Sequence, residues 1–317
     1  MSSIPTLPIK AYNALFTPMG RKNLRDRLKE CRAALDSGYK KNGTFVYALD
    51  TSRRFVLHRD NQLSKLIFLE RAYEPLETII VTRAVQRGDV VLDLGANVGY
   101  YTALLDGLVK PNGQVHSFEP GQGTFSRLEE TKRLLKLERT VLHQKAISDS
   151  VGHIDFWLST AGSDAQQSTV KMAALGEELA RQRVAATSLD AFVKDMGKES
   201  GRIAFVKCDI EGAELSMIQG AQSLIAAQDP PIWLIEHNRP ALREHGSSTN
   251  DLLAPFSNHD VYFVPLCWPP SIMASPQASK WSGEDLPDEC NLILFPKKGA
   301  YAKRVAAVQQ AGLLASS

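Results

Sequence analysis

Between residues 89 and 238 the chain alternates short apolar runs with helix-like stretches. This rhythm restricts the fold more than any other feature of the sequence. VVLDL precedes a helical pattern, QVHSFE precedes TFSRLEETKRLLK, and VLHQKAIS reads as a further strand. IAFVKCD precedes AELSMIQGAQSLIAA, and PIWLIEH closes the series. Strands that are apolar throughout are buried on both faces, and such strands separated by helices form a parallel sheet with helical crossovers. Two later runs, VYFVPL and NLILFP, have no long helical pattern between them and predict an antiparallel hairpin at the sheet edge. The expected class is α/β, a Rossmann-like and mostly parallel sheet with an antiparallel C-terminal hairpin.

The flanks follow other patterns. Residues 1–73 read as an N-terminal extension: a proline-containing arm, a helix on Leu24, Leu28, Cys31 and Leu35 ended by Gly38, and a hairpin of TFVYALD and RRFVLHR. EPLETIIVTRAVQRG, with Pro75 near its start and Gly88 at its end, reads as the helix that opens a main domain over 74–300. Residues 301–317 complete the chain as a C-terminal helix or tail. SVGHIDFWL suggests an added strand. Two insertions are expected near the active-site rim, 159–183 with a helical piece VKMAALGEELARQR and 267–290 with Trp268 and Trp281.

Composition excludes several classes. A formal net charge of +2 gives no general attraction to nucleic acid or to an anionic membrane, and the basic run GRKNLRDRLKECR reads as a solvated helix face. Cys31, Cys208, Cys267 and Cys290 are widely spaced with no CxxC pair, which argues against a zinc ribbon and a disulfide framework. No run has the layout of a signal peptide or the length of a membrane span, so a cytoplasmic location is expected.

The first strand ends VVLDLGANVGYYTALL, residues 90–105. In an open parallel sheet, ligands bind outside the carboxyl ends of the strands, which places the turn from Gly95 to Gly99 at the site. A dinucleotide site calls for G-x-G-x-x-G, whose middle glycine admits a pyrophosphate. Asn97 holds that middle position here, and Asp93 puts negative charge where phosphates would lie. S-adenosylmethionine fits better: its ammonium meets an acid and its carboxylate meets a helix N-terminus. Glu119, 20 residues after Gly99 at the end of the second strand, suits the ribose hydroxyls.

DLGANVGYYT, together with FEP, TSLDAF and VKCDIEGAELSMIQGA, resembles the FkbM family of S-adenosylmethionine-dependent methyltransferases, over roughly Asp89 to Asn238. The resemblance implies a class I methyltransferase fold and methyl transfer to a hydroxyl of a sugar or specialised metabolite. It also implies that Asp93, Gly95, Ala96, Asn97 and Gly99 line the cofactor, with Glu119 on its ribose.

Asp209 and Glu211 lie where the fourth strand meets its helix, close to the expected methyl group, and are the candidates for holding the acceptor or taking its proton; Asp209 also borders the cofactor. Glu214 reads as a helix-dipole residue. His237, at the end of the fifth strand, is a candidate general base. Asp209, Glu211 and Glu236 form an alternative oxygen-rich set for a divalent cation. The leading expectation is an O-methyltransferase acting on a small hydroxylated molecule, without nucleic-acid or membrane partners. A nucleotide-dependent oxidoreductase and a non-catalytic adenosylmethionine-binding subunit are the alternatives.

Overall fold

The computed structural model describes residues 44–48, 54–58, 61, 63–64, 67, 73–159, 167–168, 179–197, 203–244, 246–266 and 277–315. The chain forms a hairpin of β1 (Thr44–Ala48) and β2 (Arg54–His58), then helix α1 (Pro75–Ala84), which opens on Pro75. β3 (Val90–Leu94), α2 (Tyr100–Val109), β4 (Gln114–Phe118), α3 (Gln122–Leu135) and β5 (Thr140–His143) follow. Next come β6 (Ala146–Ile147), β7 (Gly152–Ser159), β8 (Gln167–Ser168), β9 (Leu179–Thr187) and α4 (Leu189–Met196). Then β10 (Ile203–Cys208), α5 (Glu214–Gln219), α6 (Gln222–Ile225), β11 (Ile232–Asn238), α7 (Arg239–Glu244) and α8 (Thr249–Leu253). β12 (His259–Pro265), β13 (Ser279–Lys280), β14 (Glu289–Pro296) and α9 (Arg304–Gln310) end the described fold.

Eight strands form one sheet in the order β13-β12-β14-β11-β10-β3-β4-β5. β5, β4, β3, β10 and β11 are parallel, whereas β14, β12 and β13 join antiparallel. The class expected from the rhythm of the sequence is the class observed. The final pair is not a simple edge hairpin, because β14 inserts between β12 and β11. From β3 the chain winds outward through β4 to β5, then returns to the other side of β3 with β10. The switch point therefore lies between the carboxyl ends of β3 and β10, where an open α/β sheet leaves a crevice.

Both faces are covered, which is why the central strands carry no polar–apolar alternation. Leu76, Ile80, Tyr101 and Leu105 from α1 and α2 pack with Val91, Phe205 and Leu234 on one face. Met217, Ile218, Leu224 and Leu253 from the later helices pack with Leu92, Val206 and Trp233 on the other. The β1–β2 hairpin docks through Phe55, whose ring stacks on Tyr100 with centroids 4.7 Å apart. Arg304 Nη2 lies 2.8 Å from Asp89 Oδ1 and ties α9 to the start of β3.

Two sequence expectations are corrected. VLHQKAIS is not one strand: β5 ends at His143, and β6 joins a second sheet, ordered β6-β9-β7-β8. Residues 179–183, read as part of a helix, begin β9, which pairs with β7 from Gly152–Ala186 to Ser159–Leu179. Exposed Arg181 and Arg183 alternate there with buried Val184 and Ala186, so strand pairing overrides the helix propensity of the Ala, Glu and Arg content. The expected helix over Leu24 to Leu35, residues 169–178 and Trp268 lie outside the described residues. Among the described residues no helix is long and apolar enough to cross a membrane.

Candidate functional site

A row of polar side chains crosses the middle of the sheet on the face covered by α2. Asp93 is the register partner of Ser117 in β4 and of Lys207 in β10. Register partners in parallel strands project to the same side. Asp93 is 0 % exposed; the Thr102 hydroxyl donates to its Oδ2 at 2.6 Å, and its Oδ1 has no hydrogen-bond partner. Burial raises its pKa, with Lys207 opposing. Buried Lys207 places Nζ 3.0 Å from Asp209 Oδ2 and 5.2 Å from the centre of the Tyr101 ring. Burial disfavours the ammonium, yet Asp209, Asp93 and Glu74 together hold its pKa above the ordinary lysine value.

The glycines of the turn answer to protein packing. Gly95 has φ 76°, and a Cβ there would lie 1.7 Å from the carbonyl oxygen of Asp209. Gly99 has φ 95°, and its Cβ would come within 2.8 Å of Leu128 on α3. Their absence of a side chain thus brings the end of β10 onto the turn and α3 onto the start of α2. Asn97, at φ 49°, adopts the left-handed conformation that asparagine tolerates better than most residues. Its N–H donates to Glu119 Oε2 at 3.0 Å, while the Gly121 N–H donates to Oε1 at 2.9 Å. Burial pushes Glu119 up to about 7 against these two donors. α2 begins at Tyr100 without a side-chain cap, and a helix N-terminus is a place where backbone amides can meet an anionic group.

The second turn, DIEG, leaves β10 beside the first. The Asp209 N–H donates to the Leu94 carbonyl at 3.1 Å, and the Asp209 side chain is 26 % exposed. Glu211 is exposed and left-handed at φ 54°. Glu214 is buried and accepts the N–H groups of Ile210 and Gly212 at 3.0 and 3.3 Å, so it closes the turn. Glu236 shares the sheet face of Asp209; its Oε2 has no hydrogen-bond partner. Burial, followed by the charges of Asp209 and Glu211, raises its pKa well above the ordinary range.

Asp93, Asp209, Glu236 and the Gly95–Gly99 turn are therefore brought together, with Glu119 attached to the turn through Asn97. His237 is not. Successive strand residues face opposite sides, and His237 points away from Glu236 toward Cys290. It is 0 % exposed, with Nε2 2.8 Å from Thr249 Oγ1 and Nδ1 3.7 Å from Cys290 Sγ. Burial lowers it to about 4, with Arg239 adding to the effect, and both ring nitrogens are engaged inside the protein. This corrects its reading as a general base. As for the alternative divalent-cation set of Asp209, Glu211 and Glu236, among the described residues no group of three His, Cys, Asp or Glu side chains is arranged to hold a metal. Lys207 supplies the positive charge beside Asp209 instead.

Sequence reasoning missed Lys207, Glu74, Tyr101 and Asn291. Lys207 left a signal, a lone charge inside the otherwise apolar run IAFVKC, where an unpaired ammonium is costly. The other three left none, because their partners come from α1, α2 and β14.

The sequence matches the profile of the methyltransferase FkbM domain over residues 93–261, just over half of the chain. Among curated proteins no match is found. Among solved structures, an FkbM methyltransferase from Methylobacillus flagellatus KT is similar at 17 % identity and TM-score 0.41, covering 73 % of this chain and 53 % of that one. This chain thus spans about half the length of that relative. An S-adenosylmethionine-dependent O-methyltransferase from Thermotoga maritima matches at 11 % identity and TM-score 0.38, over 82 % of this chain and 80 % of that one. An rRNA methylase from Streptococcus thermophilus matches at 10 % identity and TM-score 0.38, over 71 % and 96 %. At these scores the structural likenesses carry no functional argument. The domain match, spanning both turns, carries the assignment: the chain belongs to the FkbM methyltransferase family.

Proposed function

We propose that this protein is an S-adenosylmethionine-dependent O-methyltransferase acting on a hydroxyl of a small molecule. The observation that carries this reading is the set of carboxyl groups gathered at the switch point. Asp93, Asp209 and Glu236 stand on one sheet face beside the uncapped start of α2, and Asp93 Oδ1 is buried without a partner. A ligand with cationic groups and one carboxylate satisfies both features, whereas a pyrophosphate would meet Asp93 and find Asn97 in place of the glycine it needs.

When bound, S-adenosylmethionine supplies a methyl group on a cationic sulfur. Asp93 would face its ammonium, the first-turn amides of α2 its carboxylate, and Glu119 its ribose hydroxyls. Asn97 and Gly121 hold the Glu119 carboxylate from behind through one N–H each. Lys207 fixes Oδ2 of Asp209, and this partly exposed carboxylate would orient the acceptor hydroxyl and collect its proton. Exposed Glu211 would contact the acceptor. Alignment of acceptor and methyl in a closed site supplies most of the acceleration in such a scheme.

Calorimetric titration of the protein with S-adenosylmethionine and with NAD⁺ tests the reading, with Asp93→Asn as the control. Binding of the first alone, weakened in the variant, is expected. Binding of NAD⁺ alone, or of neither, would overturn it.

A further inference from the structure

Glu74 sits at the mouth of α1, 9 % exposed, in a left-handed conformation (φ 43°, ψ 64°) that turns its side chain inward. The Tyr101 hydroxyl donates to its Oε2 at 2.6 Å, and Asn291 Nδ2 donates to its Oε1 at 3.2 Å. The face of Tyr101 carries the Lys207 ammonium, and Lys207 in turn holds Asp209. An unbroken line of contacts therefore runs from Glu74 to the carboxylate beside the expected methyl group. None of its first three members belongs to either glycine turn.

We propose that Glu74 is a positioning residue of the cofactor site, and that its buried charge selects a sulfonium ligand over the neutral thioether left after methyl transfer. The inference rests on the cofactor reading above. Glu74, Asp93 and Asp209 all act on the ammonium of Lys207, so negative charge exceeds positive within this group. Asp93, independently, keeps one fully buried oxygen without a partner, which marks a place for a cationic group. Asn291 also donates to Glu77 Oε1, at 3.0 Å. Burial and the neighbouring Glu74 push Glu77 up to about 8. Burial raises Glu74 too, opposed by Lys207 and by its hydrogen bonds from Tyr101 and Asn291; with a donor on each of its oxygens, Glu74 is the better placed of the two to hold the charge and Glu77 the proton. S-adenosylmethionine has two cationic groups and one carboxylate, whereas its thioether product has lost the sulfonium charge. Surplus buried negative charge thus discriminates between the two.

The test is the ratio of S-adenosylmethionine to S-adenosylhomocysteine affinity, measured by calorimetry on the full chain and needing no methyl acceptor. In Glu74→Gln the ratio is expected to fall about tenfold, because a buried charge acts on the ligand that carries the extra cation. Glu77→Gln, which alters the same network without removing a charge, leaves the ratio unchanged. Equal weakening of both ligands in Glu74→Gln would show a structural role only and overturn the proposal, as would an unchanged ratio. Should Glu74→Gln fail to fold, Tyr101→Phe carries the test, because it removes a hydroxyl donor that favours the ionised Glu74: the ratio falls if the proposal holds and stays fixed if it does not. A wild-type protein that binds neither ligand would overturn the cofactor reading itself, a result distinct from a ratio that ignores Glu74.

Discussion

Asp93 and Lys207 are register partners in adjacent parallel strands at the point where the sheet reverses its winding. The pairing sets an ammonium inside the sheet, where it offsets carboxylates from three elements, β3, α1 and the DIEG turn. Breaking such a group by removing one partner costs far more than the intact group contributes, because the remaining charges stay buried.

Lys207→Met is therefore expected to lower stability by about 3–5 kcal/mol near pH 8. The pKa values of Asp93 and Glu74 are already raised, chiefly by burial and against Lys207, so acid neutralises the orphaned carboxylates. The deficit should shrink as pH falls toward 5.5, as read by urea denaturation of both proteins at the two pH values. A deficit that stays constant with pH would mean that lost packing, not lost charge, explains it.

Gly95→Ala tests the contact between the two turns. Its Cβ would lie 1.7 Å from the Asp209 carbonyl oxygen, at a φ of 76° that already disfavours alanine. A loss of about 3 kcal/mol or more, or failure to fold, is expected. Gly123 on α3 meets nothing within 4 Å, so Gly123→Ala should stabilise by about 0.5–1 kcal/mol. Equal thermal midpoints for the two variants would contradict the close approach.

Much of the sheet was legible because fully buried strands show themselves as apolar runs, and the glycine turn because it combines Asp93, Asn97 and Glu119 at informative spacings. The split of VLHQKAIS was not legible: Ala146 and Ile147 are as apolar as the strand before them, and only pairing with Ala186 and Thr187 assigns them to the second sheet. Glu236 and His237 look equivalent as neighbours at a strand end, and strand geometry alone sends them to opposite faces. Glu74 lies more than 200 residues from Asn291, its hydrogen-bond partner, and no local pattern anticipates a contact of that separation.

The position of His237 gives a prediction that sets a structural role against a place in the cofactor site. His237→Leu leaves the Thr249 hydroxyl and the Cys290 thiol without their partner, a loss of about 1–3 kcal/mol. Cofactor affinity should be unchanged. Paired denaturation and calorimetric titration separate the outcomes, and weakened binding at full stability would return His237 to the site.

Glu119 links the site to pH in two opposite senses. Its folded pKa of about 7 exceeds the ordinary 4.5, so the folded protein binds the proton more tightly than the unfolded chain. The stability from this group is fully present below pH 4.5 and is lost as pH rises to about 7. Ribose binding runs the other way, because only the ionised carboxylate, with both oxygens steadied by backbone N–H groups, has lone pairs free for two hydroxyls. Affinity for S-adenosylmethionine should therefore be up to about tenfold weaker at pH 6 than at pH 8. Glu119→Gln should bind more weakly throughout and lose this pH dependence. Calorimetry at pH 6, 7 and 8 on both proteins reads the difference; the same slope in the variant would assign the titration to another carboxylate, with Glu214, pushed up to about 7 by burial, the next to replace.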